Sequence, residues 1–316
     1  MACGTAVEKI DRMYEKKKIK VKEEPACATG QTGKSAMIVK NALLHLGKDQ
    51  VMLGDLKIEN GKIAALGNGL SGGEEKDYSG RHIYAGAMAF WTPARQETAF
   101  PVLTSMDACY SVEPAELKTQ AFAERGITDA VVVPGNKNVL SGYCAVIKTV
   151  GDSLSDLAVK QRVAMKGALT DEVVETYRPA SASKASIGPM GMIRLLQYAL
   201  AGDDELTDVR EGKLPLLMTC YHDYEIRRVL EATRQWPKMK LLFQGCAADE
   251  KLEKELTDRG AELLGSCPRR MAEAFGVADR IGALKEGLDA DLTVYAADGR
   301  LGLLETLING KTVYRA

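Results

Sequence analysis

Histidine is scarce in this chain: among 316 residues only His45, His82 and His222 carry an imidazole, too few for a His-rich binuclear metal centre. The seven cysteines (Cys3, Cys27, Cys109, Cys144, Cys220, Cys246, Cys267) never fall in C-x-x-C spacing. That excludes a local zinc ribbon, and the odd, scattered count speaks against a disulfide framework. No apolar run reaches the roughly 18 residues of a membrane-spanning helix. Met1 to Tyr14 lacks the basic start and apolar block of a secretory leader, so a cytoplasmic protein with reduced thiols and no membrane partner is expected. Neither sign of charge dominates: the net charge is -1 with 27% charged residues. No field exists to gather a polyanion, so nucleic acid is not an expected partner, and a small molecule or another protein is.

What is present is a hydrophobic content of 46%, which supports a sizeable core, in a chain long enough for one large α/β barrel domain and a small second one. Residues 1–35 contain E-K-K-K-I-K-V-K-E-E-P and read as a charged arm. Within the arm, A-T-G-Q-T-G-K-S (28–35) approaches a phosphate-cradling loop. Ala28 replaces its first glycine, however, and the strand-like A-M-I-V-K follows where a helix is required, so no nucleotide is expected there. From Ala36 onward short β-like runs begin. Asn60-Gly61 between two alternating apolar runs signals a type I′ hairpin, and Asn309-Gly310 repeats the signal near the other end.

Such hairpins cannot bury a core alone, so the two chain ends, 36–85 and 280–316, are predicted to pair into one small β-sandwich. Between them, over 86–279, apolar strands (127–135, 144–151, 214–220, 239–246, 261–268) alternate with helical patterns near Ala115 to Arg125, Met190 to Ala201, Tyr224 to Arg234 and Asp249 to Arg259. That alternation predicts a parallel sheet of βαβ type.

Several segments carry a family likeness: G-K-I-A-A-L-G (61–67), D-Y-S-G-R-H-I-Y-A-G-A-M-A-F-W-T-P (77–93), V-V-V-P-G-N-K-N-V-L-S-G-Y-C-A-V-I-K-T (131–149), A-M-K-G-A-L (164–169), R-I-G-A-L-K-E-G-L-D-A-D-L-T-V-Y (280–295) and I-N-G-K-T-V-Y (308–314). Together they resemble the amidohydrolase superfamily, in its imidazolonepropionase-like branch. The resemblance implies a (β/α) TIM-like barrel with a composite β-sandwich, and hydrolysis of non-peptide C–N bonds at a catalytic metal. Metal chemistry of that kind needs imidazoles and carboxylates that hold the ion and lower the pKa of its water. At the positions where the family has metal histidines this chain has Trp91 and Pro93, then Thr219 and Tyr221, then Gly245. The later strand bearing the family's catalytic Asp is absent, since Cys267-Pro268 runs directly into R-R-M-A-E-A-F-G. The stretch from Gly86 to Pro268 also falls short of the about 250 residues of a full eight-unit barrel. The expectation is therefore an α/β chain with an incomplete TIM-like barrel and no resident metal.

Cys220, Cys246 and Cys267 fall at the ends of three successive predicted strands, with His222 and Asp223 following the first. Strand ends are where barrels build their sites, so these five residues are the candidate site. Zinc is expected only if that cysteine-rich mouth binds it; otherwise the cysteines are small buried hydrophobes. Lys148 resembles the kind of lysine that is carboxylated to bridge two metals in some family members, and without metals it is expected to be solvated or ion-paired. Arg194 reads as a packing and hydrogen-bonding residue. Phe90 and Trp91 together are expected to fill the former metal mouth. Three functional readings remain open. The first is a noncatalytic subunit or scaffold associating with an intact amidohydrolase or with itself. The second is a hydrolase of the cyclic-amide type with a site rearranged around Cys220, His222 and Cys246. The third is a small-molecule binding module.

Overall fold

Two Asn-Gly dipeptides organise the chain ends. Asn60 (φ 53°) and Gly61 (φ 77°) both adopt left-handed backbone, as a type I′ turn demands, and join β2 (Gln50–Glu59) to β3 (Lys62–Gly67). Asn309 (φ 48°) and Gly310 (φ 72°) do the same between β14 (Leu303–Ile308) and β15 (Lys311–Arg315). The computed structural model describes residues 36–47, 50–178, 187–296 and 302–316. All belong to the unit Ser35–Ala316, so the charged arm and its A-T-G-Q-T-G-K-S stretch lie outside the described residues.

With β1 (Met37–Gly47), β4 (Glu74–Asp77), β5 (His82–Ala85) and β13 (Leu292–Tyr295), these strands form one eight-stranded sheet of order β15-β14-β13-β5-β1-β2-β3, with β4 beside β1. The chain ends meet at β5 and β13, which run antiparallel from Leu292 opposite Ala85 to Tyr295 opposite His82. Leu44, Leu56, Ile63, Ile83, Leu292 and Leu307 share the core on one side of this sheet. Burying that face ties both hairpins down, which neither could do alone.

A second, seven-stranded sheet follows chain order: β6 (Ala87–Trp91), β7 (Ile127–Val132), β8 (Leu140–Lys148), β9 (Ala158–Ala168), β10 (Leu216–Thr219), β11 (Leu241–Gln244) and β12 (Glu262–Leu263). The expectation of a wholly parallel sheet is corrected here, because β8 runs antiparallel to both β7 and β9. The links over 133–139 and 149–157 are shorter than the roughly dozen residues a parallel crossover requires. β9 begins Ala-Val-Lys-Gln-Arg and lacks clean alternation, so the apolar runs do not predict it.

The helices are α1 (Thr119–Ala123), α2 (Leu154–Leu157), α3 (Asp171–Thr176), α4 (Pro189–Gly202), α5 (Thr207–Arg210), α6 (Asp223–Ala232), α7 (Glu250–Arg259) and α8 (Pro268–Ala274). The pattern over 115–125 yields only a 3-10 turn at Pro114–Glu116 and then α1, broken at Leu117, whose extended backbone (φ -64°, ψ 126°) buries its side chain.

Alternation along the strands sorts the core onto two faces. On one, Leu216 and Met218 of β10 with Leu241 and Phe243 of β11 pack beneath α4, α6 and α7. Met192, Leu196 and Leu200 supply the stripe of α4 at four-residue spacing. On the other face, Val131, Val146, Ala164, Leu217 and Leu242 pack against Met271 and Ala272 of α8 and Phe275 just beyond it.

Candidate functional site

The loops after β10 and β11 carry most of the candidate residues. The Cys220 N–H donates to the Gln244 carbonyl (3.0 Å), and the Gln244 amide donates to Thr219 Oγ1 (2.8 Å). Cys220 is fully buried, and burial, with the Glu225 carboxylate nearby, pushes its thiol up. Glu225 is itself buried and accepts the N–H groups of Tyr221 (2.6 Å) and His222 (3.2 Å), closing the start of α6. The His222 ring is exposed and stacks on Tyr224, centroids 5.1 Å apart. Asp223 is ion-paired with Arg227, which holds its carboxyl below the usual range. Cys246 donates to the carbonyl of Ala247 (3.0 Å), and Cys267 is exposed just before α8. Among the described residues no three His, Cys, Asp or Glu side chains are grouped so that they could hold a metal ion.

The residues that the resemblance sets at ligand positions do not suit a metal either. Trp91 packs edge-to-face on Phe122 (6.5 Å) among the residues between the sheet and α1, and Pro93 lies beyond the end of β6. The Tyr221 hydroxyl donates to Glu172 (2.9 Å) and accepts from the Asn136 amide (3.1 Å). Gly245 sits at φ 97°, and a Cβ there would come within 3.0 Å of the Cys220 carbonyl oxygen and 3.2 Å of the Tyr221 ring. Any side chain at that position would be crowded and its backbone strained. Phe90, next to Trp91, points to the opposite face and meets Phe275 edge-on at 6.1 Å. The expectation that Phe90 and Trp91 fill one mouth together is thus corrected: neighbours on a strand face opposite ways.

Two lysines are buried to within 1% of full coverage, and their surroundings are opposite. Lys148, at the end of β8, makes ion pairs with Asp129 (3.1 Å), Asp289 (3.2 Å) and Asp291. Burial opposes its charge, but Asp129 and Asp291 outweigh that and raise its pKa. Burial and the Asp291 charge push Asp129 up to about 7. Asp289 also meets Lys62 (2.9 Å) and Arg280 (3.0 Å). Because β8 is antiparallel, this cluster lies beside the start of β7, with Asp129 opposite Lys148, away from the strand ends that hold Cys220 and Gly245. It fastens the two sheets together.

Lys166, near the end of β9 between Gly142 of β8 and Leu217 of β10, has no carboxylate within ion-pair distance among the described residues. Its ammonium donates to the Gly167 carbonyl (2.6 Å), and burial pushes its pKa down to about 8. Besides Asp129 Oδ1, three further buried oxygen atoms, Gln96 Oε1, Asn136 Oδ1 and Thr170 Oγ1, lack a hydrogen-bond partner among the described residues. They sit in the segments that follow β6, β7 and β9. Sequence reasoning missed Lys166, although a lysine inside V-A-M-K-G-A-L is the kind of signal that finds such a group.

With this geometry established, the chain can be set beside solved structures. An amidohydrolase from Thermotoga maritima MSB8 superposes with a TM-score of 0.69 at 18% identity, over 89% of this chain and 100% of that one. The chain has the amidohydrolase fold. L-hydantoinase (dihydropyrimidinase) from Arthrobacter aurescens matches with a TM-score of 0.52 at 11% identity, covering 88% of this chain and 96% of that one. A putative prolidase from Bifidobacterium longum matches at 0.51 and 11%, over 89% and 95%. No family model and no curated protein matches the sequence. At such identities the amidohydrolase likeness speaks for the scaffold, and function has to be argued from the site.

Proposed function

We propose that this protein works by association, as a noncatalytic subunit or scaffold that pairs with an intact amidohydrolase or with itself. In this reading the seven strands are an incomplete TIM-like barrel over 86–279, and the eight-stranded sheet is the composite β-sandwich of 36–85 with 280–316. The observation that carries it is the filling of the sheet face turned away from α4, α6 and α7. Met271, Ala272 and Phe275 occupy it together with Phe90, while Trp91, Pro93, Thr219, Tyr221 and Gly245 offer no imidazole or carboxylate to a metal. The two-residue β12 ends the sheet order at one side and β6 at the other, and sheet edges invite a covering partner.

A hydrolase built around Cys220, His222 and Cys246 draws less support. A thiol with a raised pKa is a poor nucleophile and metal ligand at neutral pH, and the His222 ring stacks outward on Tyr224. Native mass spectrometry of the full-length protein, tagged and purified from its own host, tests the proposal. The expected result is a metal-free oligomer, either hetero-oligomeric with an intact amidohydrolase or homo-oligomeric. A monodisperse monomer without partner overturns it. A metal-loaded homo-oligomer whose activity is abolished by Cys220→Ala or His222→Ala establishes the hydrolase reading instead.

A further inference from the structure

The outer faces of α4 and α6 form a groove of about 320 Å³ lined by Pro189, Met190, Ile193, Arg194, Gln197 and Arg228. Its composition differs from the rest of the helical layer. Arg194 stacks on Tyr198 at 4.3 Å and Arg228 on Tyr224 at 4.8 Å. Met190 is 88% exposed and Tyr198 61%. Among the described residues no carboxylate lines the groove and neither guanidinium has an acid within ion-pair distance. Other arginines of the same layer are paired: Arg227 with Asp223 and Glu255, and Arg234 with Glu231. Arginine, tyrosine and methionine around an apolar floor is the composition of protein-interface hot spots.

We propose that this groove docks a segment of a different protein, one presenting an Asp or Glu carboxylate between apolar side chains. Stacking fixes each guanidinium plane on its tyrosine while leaving N–H edges to fork onto a carboxylate. Apolar neighbours of that carboxylate cover Met190 and Ile193. A second copy of this chain is the poorer occupant: a two-fold interface centred on the groove sets the same patch against itself and so gathers four guanidinium groups with no acid among the lining residues. Like-charge contact of that kind is penalised at interfaces. The proposal rests on the association reading above and names the surface that serves it.

The test uses the full-length protein with the photoreactive residue benzoylphenylalanine in place of Met190, irradiated in the complex recovered from its host. The crosslinked peptide is expected to come from a different chain and to carry a carboxylate next to apolar residues. In parallel, the affinity for that partner is compared between wild type, Arg194→Glu/Arg228→Glu and Arg194→Lys/Arg228→Lys. Charge reversal is expected to weaken binding at least tenfold and the lysine pair less. Raising salt from about 50 to 500 mM should weaken the wild type and not the Glu variant. Both arginines are exposed, so the variants should unfold at the wild-type temperature, and circular dichroism checks this. A partner retained by the Glu variant, or a crosslink to a second copy of this chain, overturns the groove as the docking site while the association reading stands. A wild-type protein recovered as a homo-oligomer with no other chain overturns the groove alone, and one recovered as a monomer without partner overturns both.

Discussion

Lys166→Met should make this protein more stable, even though it removes a fully buried residue from the middle of a sheet. In the folded state burial drives the lysine's pKa from 10.5 to about 8, and each tenfold loss of proton affinity corresponds to about 1.4 kcal/mol. At pH 7 the charge therefore costs about 3 kcal/mol. Its hydrogen bond to the Gly167 carbonyl returns about 1 kcal/mol, so an apolar residue of similar length should gain about 2 kcal/mol. The pH dependence carries the sign. Below about pH 8 the lysine is protonated in both folded and unfolded chains, and the full penalty applies. Between about 8 and 10.5 the unfolded chain holds the proton and the folded chain does not, so wild-type stability rises with pH. The advantage of Lys166→Met should then shrink by about 3 kcal/mol across that window, leaving the wild type about 1 kcal/mol the more stable above it, because the hydrogen bond remains once the charge penalty is gone. Urea unfolding of both proteins at pH 7 and pH 10, followed by circular dichroism, measures it as a shift in midpoint at constant slope. A Lys166→Met destabilised at pH 7, or a difference that stays constant from pH 7 to 10, would refute the reasoning.

The other buried lysine should behave in the opposite way. Lys148→Met leaves the carboxylates of Asp129, Asp289 and Asp291 without their shared cation and should cost about 3–5 kcal/mol in the same urea assay. Phe275→Ala empties the position against Phe90 and should cost about 3–5 kcal/mol, seen as a lowered unfolding temperature. Gly310→Ala forces a side chain into left-handed backbone at φ 72°, with its Cβ only 2.6 Å from the Ile58 side chain. A loss of at least about 1 kcal/mol is expected from the backbone alone, and a neutral result would argue against the I′ turn.

Local features of this protein were legible in its sequence. Asn-Gly dictates a type I′ turn through the backbone freedom of two residues, so both hairpins, at 60–61 and 309–310, could be read without any partner strand. The helices of the outer layer show four-residue spacing, as at Met192, Leu196 and Leu200, and begin within one residue of their predicted starts. The absence of imidazoles at Trp91, Pro93, Thr219, Tyr221 and Gly245 needed no tertiary structure either, because donor chemistry belongs to residue type. What the sequence could not determine depends on contacts between distant parts of the chain. The direction of β8 follows from the lengths of two links once its neighbours are known. Trp91 and Phe90 are parted by the pleat, which only a strand boundary reveals. Lys148 is paired with Asp291 across 143 residues, while Lys166, 18 positions along the chain, finds no acid within ion-pair distance among the described residues. Both read as a lysine in an apolar strand. Whether such a charge stabilises or burdens the fold is set by what lies within about 4 Å of it in a low-dielectric interior, and only the tertiary structure brings those groups together.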